Sequence, residues 1–302
     1  LPIKNVRRVM QELTARRETV FAATARYLAA ADEAAAAQGK SSTVELAKKH
    51  GLDADALGAW LDYLGIGAGG NVELTGHFTN KINNSGAYDF IKGWGNDATP
   101  LLLANSSDKH VRVPGNMKPH GVAVHPSPTL RAAVGWKSPL TGKLRVEGAV
   151  THAHPECGNG VTWLVELRRG STRQRLASGT AQGNKEFKFG PLENVSVQTG
   201  DLISLLIGPR DGNHSCDLTA IDIKLSTADD KDAKGKSWDL AADVSGDILA
   251  GNPHADRLGN QGVWHFYTEP EQQNATSPVI PAGSFLTKWQ DAKGAEAKRA
   301  AA

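Results

Sequence analysis

The feature that most constrains the fold is a change of pattern near residue 66. Residues 1–66 contain 15 alanines and only 4 glycines, and their apolar residues recur three or four positions apart, as in an amphipathic helix. Beyond this point apolar and polar residues alternate in short segments, which is typical of β-strands. We therefore expect a helical segment followed by a larger β domain.

Three helices are predicted before residue 66. The second follows a capping box, in which Ser42 would accept a backbone hydrogen bond and Glu45 would reach back, and it ends at Gly51. The third begins near Asp53. The first is amphipathic, and we expect its apolar face to pack against other helices. This face consists of Val6, Met10, Leu13, Val20, Tyr27, Leu28 and Ala31.

The β region is predicted to form an antiparallel sandwich. Alternating segments such as 161–167 and 221–225 are separated by glycine-rich turns, and nine or ten strands fit between residues 87 and 226, a number typical of a jelly roll. No helix-length pattern interrupts them, which disfavours a parallel α/β sheet.

Four regions follow from these patterns. We predict a helical hairpin or small bundle over residues 1–66 and a β-sandwich over 67–226. Residues 227–284 are expected to form a linker and an extended segment packing on the sandwich, and residues 285–302 a C-terminal helix and tail.

Composition and motifs exclude several classes of protein. The 34 Lys and Arg residues nearly balance the 32 Asp and Glu residues, for a net charge of +2, which argues against nucleic-acid binding. No run of about 18 apolar residues predicts a membrane span. The start lacks an initiator Met and a signal-peptide pattern, so we expect a processed product or a fragment. Nucleophile-elbow, H-E-x-x-H, phosphate-loop and haem-attachment motifs are absent, so we expect no catalysis.

The two cysteines allow two interpretations. Cys157 and Cys216 could form a disulfide, which would stabilise the fold by roughly 4 kcal/mol in the chain-entropy model. Together with His152, His154 and His214 they could instead bind zinc or copper. The disulfide is favoured because the spacing matches no strong zinc motif. A metalloenzyme, with Glu156 as general base, is a third alternative.

Tryptophans and polar loop residues suggest a ligand site. Trp94 and Trp264 lie in polar contexts where an indole could stack on a sugar ring. Burial in a core or between domains is the favoured interpretation of each, and sugar stacking is the alternative. The other candidate ligand-binding residues belong to two polar, glycine-containing segments: His154, Asn159, Arg210, Asp211, Asn213, His214 and Asp217.

Several motifs resemble a known class of module. Residues 136–148 (WKSPLTGKLRVEG), 158–161 (GNGV) and 200–219 resemble jelly-roll modules of the carbohydrate-binding type from bacterial extracellular proteins. Most of the chain, together with residues 280–286 (IPAGSFL), is also similar to an insertion region of planctomycete surface proteins that carry cytochrome-c-type domains. No haem attachment falls within this chain.

This resemblance implies a non-catalytic glycan- or polysaccharide-binding module of a protein exported to the periplasm or cell surface. Its partners would be a glycan and the other domains of the parent protein. A structural Ca²⁺ bound by loop oxygens is plausible, although no spacing identifies its ligands. The alternative is a docking module for redox or cell-surface partners, which would show a contiguous apolar patch.

Overall fold

The chain divides into two compact units. One contains residues 1–70, 170–172 and 283–302, and the other contains residues 71–169 and 173–282. The computed structural model describes residues 3–37, 42–64, 66, 72–96, 98–154, 156–170, 172–227, 235–271, 279–281 and 283–292.

The described residues form six α-helices. None of them is long and apolar enough to cross a membrane. A short 3-10 helix, Ile248–Ala250, lies between the last two. The α-helices are α1 (Ile3–Ala22), α2 (Thr24–Ala36), α3 (Thr43–His50), α4 (Ala54–Leu64), α5 (Leu240–Val244) and α6 (Phe285–Asp291).

Helices α2, α3 and α4 share a small apolar core in the first unit. Leu28, Leu46 and Leu57 are buried there, and the ring of Tyr27 stacks on that of Trp60 with centroids 6.2 Å apart. The predicted second and third helices are confirmed as α3 and α4.

The ends of these helices differ in part from the prediction. Gly51 adopts the left-handed conformation that ends α3, with φ of 63°. The Ser42 side chain makes no capping hydrogen bond among the described residues, so the predicted capping box does not form. At the start of the next helix, Asp53 caps α4: its Oδ1 accepts the Ala56 N–H at 2.8 Å.

The first predicted helix is two helices that separate at Ala23. Tyr27, Leu28 and Ala31 on α2 are buried as expected. The predicted burial of the apolar face of α1 is wrong: the exposed fractions there are Val6 52%, Met10 59% and Leu13 55%.

Sixteen strands are present in the described residues. They are β1 (Lys81–Ile82), β2 (Ile91–Gly95), β3 (Leu101–Asn105), β4 (Val111–Val113), β5 (Gly115–Met117), β6 (Val122–His125), β7 (Leu130–Lys137), β8 (Gly142–His152), β9 (Val161–Arg169), β10 (Thr172–Ala181), β11 (Glu186–Val197), β12 (Leu202–Pro209), β13 (Thr219–Thr227), β14 (Ser237–Asp239), β15 (Trp264–Pro270) and β16 (Val279–Pro281).

Two sheets and a hairpin account for these strands. One sheet has the order β1-β2-β3-β6-β13-β8-β11 with β14 also on β13, the other has the order β15-β7-β12-β9-β10-β16, and β4 pairs with β5. β10 pairs with β16 in parallel, and the neighbouring pairs from β1 to β11 in the first sheet and β15-β7-β12-β9 in the second are antiparallel. The prediction of a mainly β, antiparallel protein is confirmed, whereas the jelly-roll order remains a prediction.

The main core lies where the inner faces of the two sheets meet. Alternate residues of β8 and β13, such as Val146 and Ile223, pack with residues of β9 and β12, such as Val165 and Leu205. The segment predicted as linker and extended chain supplies β14, α5 and β15, and its Trp238 packs edge-on against the Trp136 ring at 4.9 Å. The described part of residues 227–284 therefore contributes to the sheets and to the core.

Candidate functional site

A disulfide joins two loops at one end of the sandwich. Cys157 lies between β8 and β9, Cys216 lies between β12 and β13, and their Cα atoms are 5.7 Å apart. The predicted disulfide is confirmed, and its sulfur atoms are therefore not thiolate ligands in this state. We call residues 153–160 and 210–218 the disulfide-end loops; Pro155 lies outside the described residues.

Arg210 and Asn159 hold the two loops together a second time. The Asn159 side-chain amide donates to the Arg210 carbonyl at 2.8 Å, and the Arg210 guanidinium donates to the Asn159 carbonyl at 3.3 Å and to Gln182 Oε1 at 3.4 Å. Each residue thus donates to the carbonyl of the other, and these two hydrogen bonds hold the loops together in addition to the disulfide.

The tip of the second loop presents polar side chains to solvent. Asp211 has φ of 54° and a side chain that is 85% exposed. Asn213 is exposed, and its Oδ1 accepts the Ser215 backbone N–H at 3.0 Å, which closes an Asx turn. His214 lies half-buried between them and the core. Three of the predicted site residues therefore lie on the same loop tip.

Beneath the loops lies a buried pair, His152 and Asp217. His152 Nε2 donates to the Cys216 carbonyl at 2.9 Å, and its Nδ1 accepts the Gly183 N–H at 3.2 Å; burial lowers the His152 pKa. Asp217 is fully buried 3.6 Å from this ring, and neither carboxylate oxygen has a hydrogen-bond partner within the described chain. Burial raises the pKa of Asp217 to about 7. This predicted site residue faces the interior and offers no atom to a ligand in solution.

The sequence interpretation missed His125 and Arg112. The His125 ring lies edge-on to His214 with centroids 6.2 Å apart, and burial lowers its pKa. Arg112 holds the Glu156 carboxylate through two hydrogen bonds, at 2.8 and 2.6 Å. No local motif marks either residue, since each is about 40 to 90 positions away from its partner in the sequence.

The two candidate tryptophans lie inside the core. Trp94 is 6% exposed and its indole N–H donates to the Ile248 carbonyl at 2.8 Å. Trp264 is fully buried and donates to Asp243 Oδ2 at 2.9 Å. Neither ring offers a face to a sugar, so the stacking role considered for them is wrong and the core interpretation applies.

One cluster has the chemistry of a metal site. The ligand atoms of His154, Cys157 and Cys216 all lie within 4.8 Å of one another, and no other group of three or more His, Cys, Asp or Glu residues does so in the part of the chain that is described. This donor set is nitrogen and sulfur, which suits zinc or copper and not calcium. The Ca²⁺ suggested by the sequence stays a prediction without identified ligands.

Comparisons with known proteins add no homology to this description. The chain matches no family model, no curated protein and no solved structure. The likeness to carbohydrate-binding modules and to planctomycete surface proteins therefore remains a prediction from motifs.

Proposed function

We propose that the chain is a non-catalytic glycan-binding module of an exported bacterial protein, and that the disulfide-end loops hold the sugar. One observation carries the proposal: the disulfide and the Arg210–Asn159 hydrogen bonds fix a loop tip on which Asp211, Asn213 and His214 lie together. A carboxylate, an amide and an imidazole supply the donors and acceptors that sugar hydroxyls need.

We expect a low affinity because neither candidate tryptophan can stack on a sugar ring. Because Trp94 and Trp264 are buried, binding would depend on hydrogen bonds that compete with water, each worth only about 1 kcal/mol net. We therefore expect weak binding of a single sugar unit and useful retention only on a polymer that offers many copies.

The disulfide supports an exported location. Disulfides persist in oxidising compartments and are rare in reducing ones, so Cys157–Cys216 is compatible with the periplasm or the cell surface.

Sedimentation with insoluble polysaccharides tests the proposal. We expect the chain to be depleted from solution by at least one polysaccharide, and the Asp211→Gly/Asn213→Ala variant to lose this retention by roughly tenfold or more. Glycine suits the positive φ of residue 211. The matched control is Glu186→Ala/Lys188→Ala, an exposed pair on β11. No retention on any polymer, or equal retention of both variants, would count against the site.

A docking function is the second candidate, favoured by the exposed apolar row on α1. Val6, Met10 and Leu13 are more than half exposed, and a groove of about 370 Å³ between α1 and α4 is lined by Leu13, Arg16, Arg17, Val20, Phe21, Asp55, Ala56 and Ala59. The arginines favour an amphipathic helix with acidic flanks, supplied by another domain of the parent protein.

Co-purification with the remaining domains of the parent protein tests this candidate. Met10→Lys/Leu13→Lys should abolish capture, because each lysine places a charge in the apolar row. Gln11→Lys adds a charge to an exposed position of the same helix and should leave capture unchanged. Equal capture by both variants would remove α1 as the docking surface.

A further inference from the structure

The distance from the His154 ring to the disulfide matches the distance between two ligands of a zinc ion. His154 Nδ1 is 3.5 Å and Nε2 is 3.8 Å from Cys157 Sγ, and Cys216 Sγ belongs to the same cluster. Tetrahedral zinc binds sulfur at about 2.3 Å and imidazole nitrogen at about 2.0 Å, so the edge between these two ligands is about 3.5 Å. The nitrogen and sulfur therefore already have the spacing of two zinc ligands.

We propose that reduction of the Cys157–Cys216 disulfide converts this end of the sandwich into a Zn²⁺ site with His154 as the third ligand. This goes beyond the proposed glycan binding and does not depend on it. A dithiol reductant supplies two electrons and two protons, which break the S–S bond and give two thiols while the dithiol becomes a disulfide. Binding of Zn²⁺ then displaces the two thiol protons.

The change requires a short movement of the two sulfur atoms. The two sulfur atoms must move apart to an S···S edge of about 3.8 Å, which follows from the same bond lengths. Cys157 is exposed and Gly158 follows it, while Cys216 is half-buried. We therefore expect the exposed Cys157 sulfur to make most of this movement.

The neighbouring carboxylate does not complete the site. Glu156 lies 3.8 Å from His154 Nε2, but both of its oxygens accept from Arg112. Among the described residues no fourth His, Cys, Asp or Glu belongs to the cluster, so the proposed site has three protein ligands and one position open to water.

Zinc competition between the protein and a chromophoric chelator tests the proposal. After reduction with a non-chelating phosphine, which also delivers two electrons, the chain should bind one Zn²⁺ at least roughly 100-fold more tightly than the oxidised chain does. His154→Ala should weaken the binding by roughly tenfold or more. His110→Ala removes an exposed histidine that is not part of the cluster and should have no effect. Co²⁺ in place of Zn²⁺ should give the absorption of a tetrahedral thiolate complex.

Two further measurements keep the test decisive if the reduced loops lose structure. Zn²⁺ should raise the Tm of the reduced chain and leave the Tm of the Cys157→Ser/Cys216→Ser variant unchanged, since only thiolates bind the metal tightly. The proposal is overturned if the reduced chain binds Zn²⁺ no better than this double variant, if zinc produces no stabilisation, or if His154→Ala keeps the full affinity.

Discussion

Individual buried histidines make the stability of this protein depend on pH. His265 Nδ1 accepts from His77 Nε2 at 3.0 Å, and His265 Nε2 donates to the Gly262 carbonyl at 3.1 Å. Burial, reinforced by His77 and Lys137, lowers the pKa of His265 to about 4. The folded protein thus holds this ring neutral at pH values where an unfolded chain would protonate it.

We predict that stability is lost as the pH falls below the pKa of a histidine in the unfolded chain. The unfolded state binds more protons between about pH 6.5 and pH 4, so His265 alone should lower the free energy of unfolding by about 2 kcal/mol between about pH 7.5 and pH 5. Urea unfolding at both pH values measures this difference. It should shrink in His265→Gln and persist in His110→Gln; an unchanged difference in His265→Gln contradicts the assignment.

A second group of buried residues carries full charges. Glu166 accepts from Arg168 at 2.8 Å and from Arg173 at 3.0 Å, and Glu269 accepts from Arg173 at 2.7 Å. All four side chains are nine-tenths or more buried. Two carboxylates and two guanidinium groups cancel, so removing one charge leaves another uncompensated in the interior.

Glu166→Gln should therefore destabilise the fold by roughly 3 kcal/mol. Glu193→Gln is the matched control, because Glu193 pairs with Arg145 in an exposed position and should cost less than about 1 kcal/mol. Chemical unfolding at neutral pH compares the two. Similar losses would show that the buried cluster is not stabilised as a unit.

At the scale of elements, glycines determine how closely strands approach. Gly148 on β8 lies opposite Phe189 of β11, in a strand that also pairs with β13. A Cβ at this position would overlap the Asp222 carbonyl oxygen and the Phe189 ring. The strand sequence alternates correctly here, but the need for glycine arises from its neighbours.

Gly148→Ala is expected to destabilise the sandwich by about 1–3 kcal/mol, as overpacking of a core does. Gly246→Ala, which places its Cβ in open space, should stay within about 0.5 kcal/mol of the wild type. Thermal unfolding followed by the near-ultraviolet signal of the tryptophans measures both. A tolerated Gly148→Ala would mean that β8 and β13 can separate without cost.

Periodicity predicted which residues share a face, but not what covers that face. All described strands follow the switch near residue 66, α1 to α4 precede it, and α3 and α4 begin and end close to the predicted residues. The same 3.6-residue period on α1 gave no information about a partner, and Val6, Met10 and Leu13 are exposed. Burial depends on tertiary neighbours, which a local pattern does not contain.

At the scale of the whole molecule, the topology decides which loops meet. β8 and β13 are neighbours in one sheet, and β9 and β12 are neighbours in the other. The loops that carry Cys157 and Cys216 therefore reach the same end. The presence of only two cysteines already suggested the Cys157–Cys216 disulfide. The approach of His125 to His214 depends on strand order and could not be predicted from the sequence.

Chemical-shift mapping is the measurement that asks whether the disulfide-end loops bind a glycan. A soluble oligosaccharide from whichever polysaccharide retains the chain is titrated into isotope-labelled protein. We predict shifts concentrated at residues 156–160 and 210–217, with none around the buried Trp94 and Trp264. Shifts confined to other surfaces, or the failure of every polysaccharide to retain the chain, would contradict it.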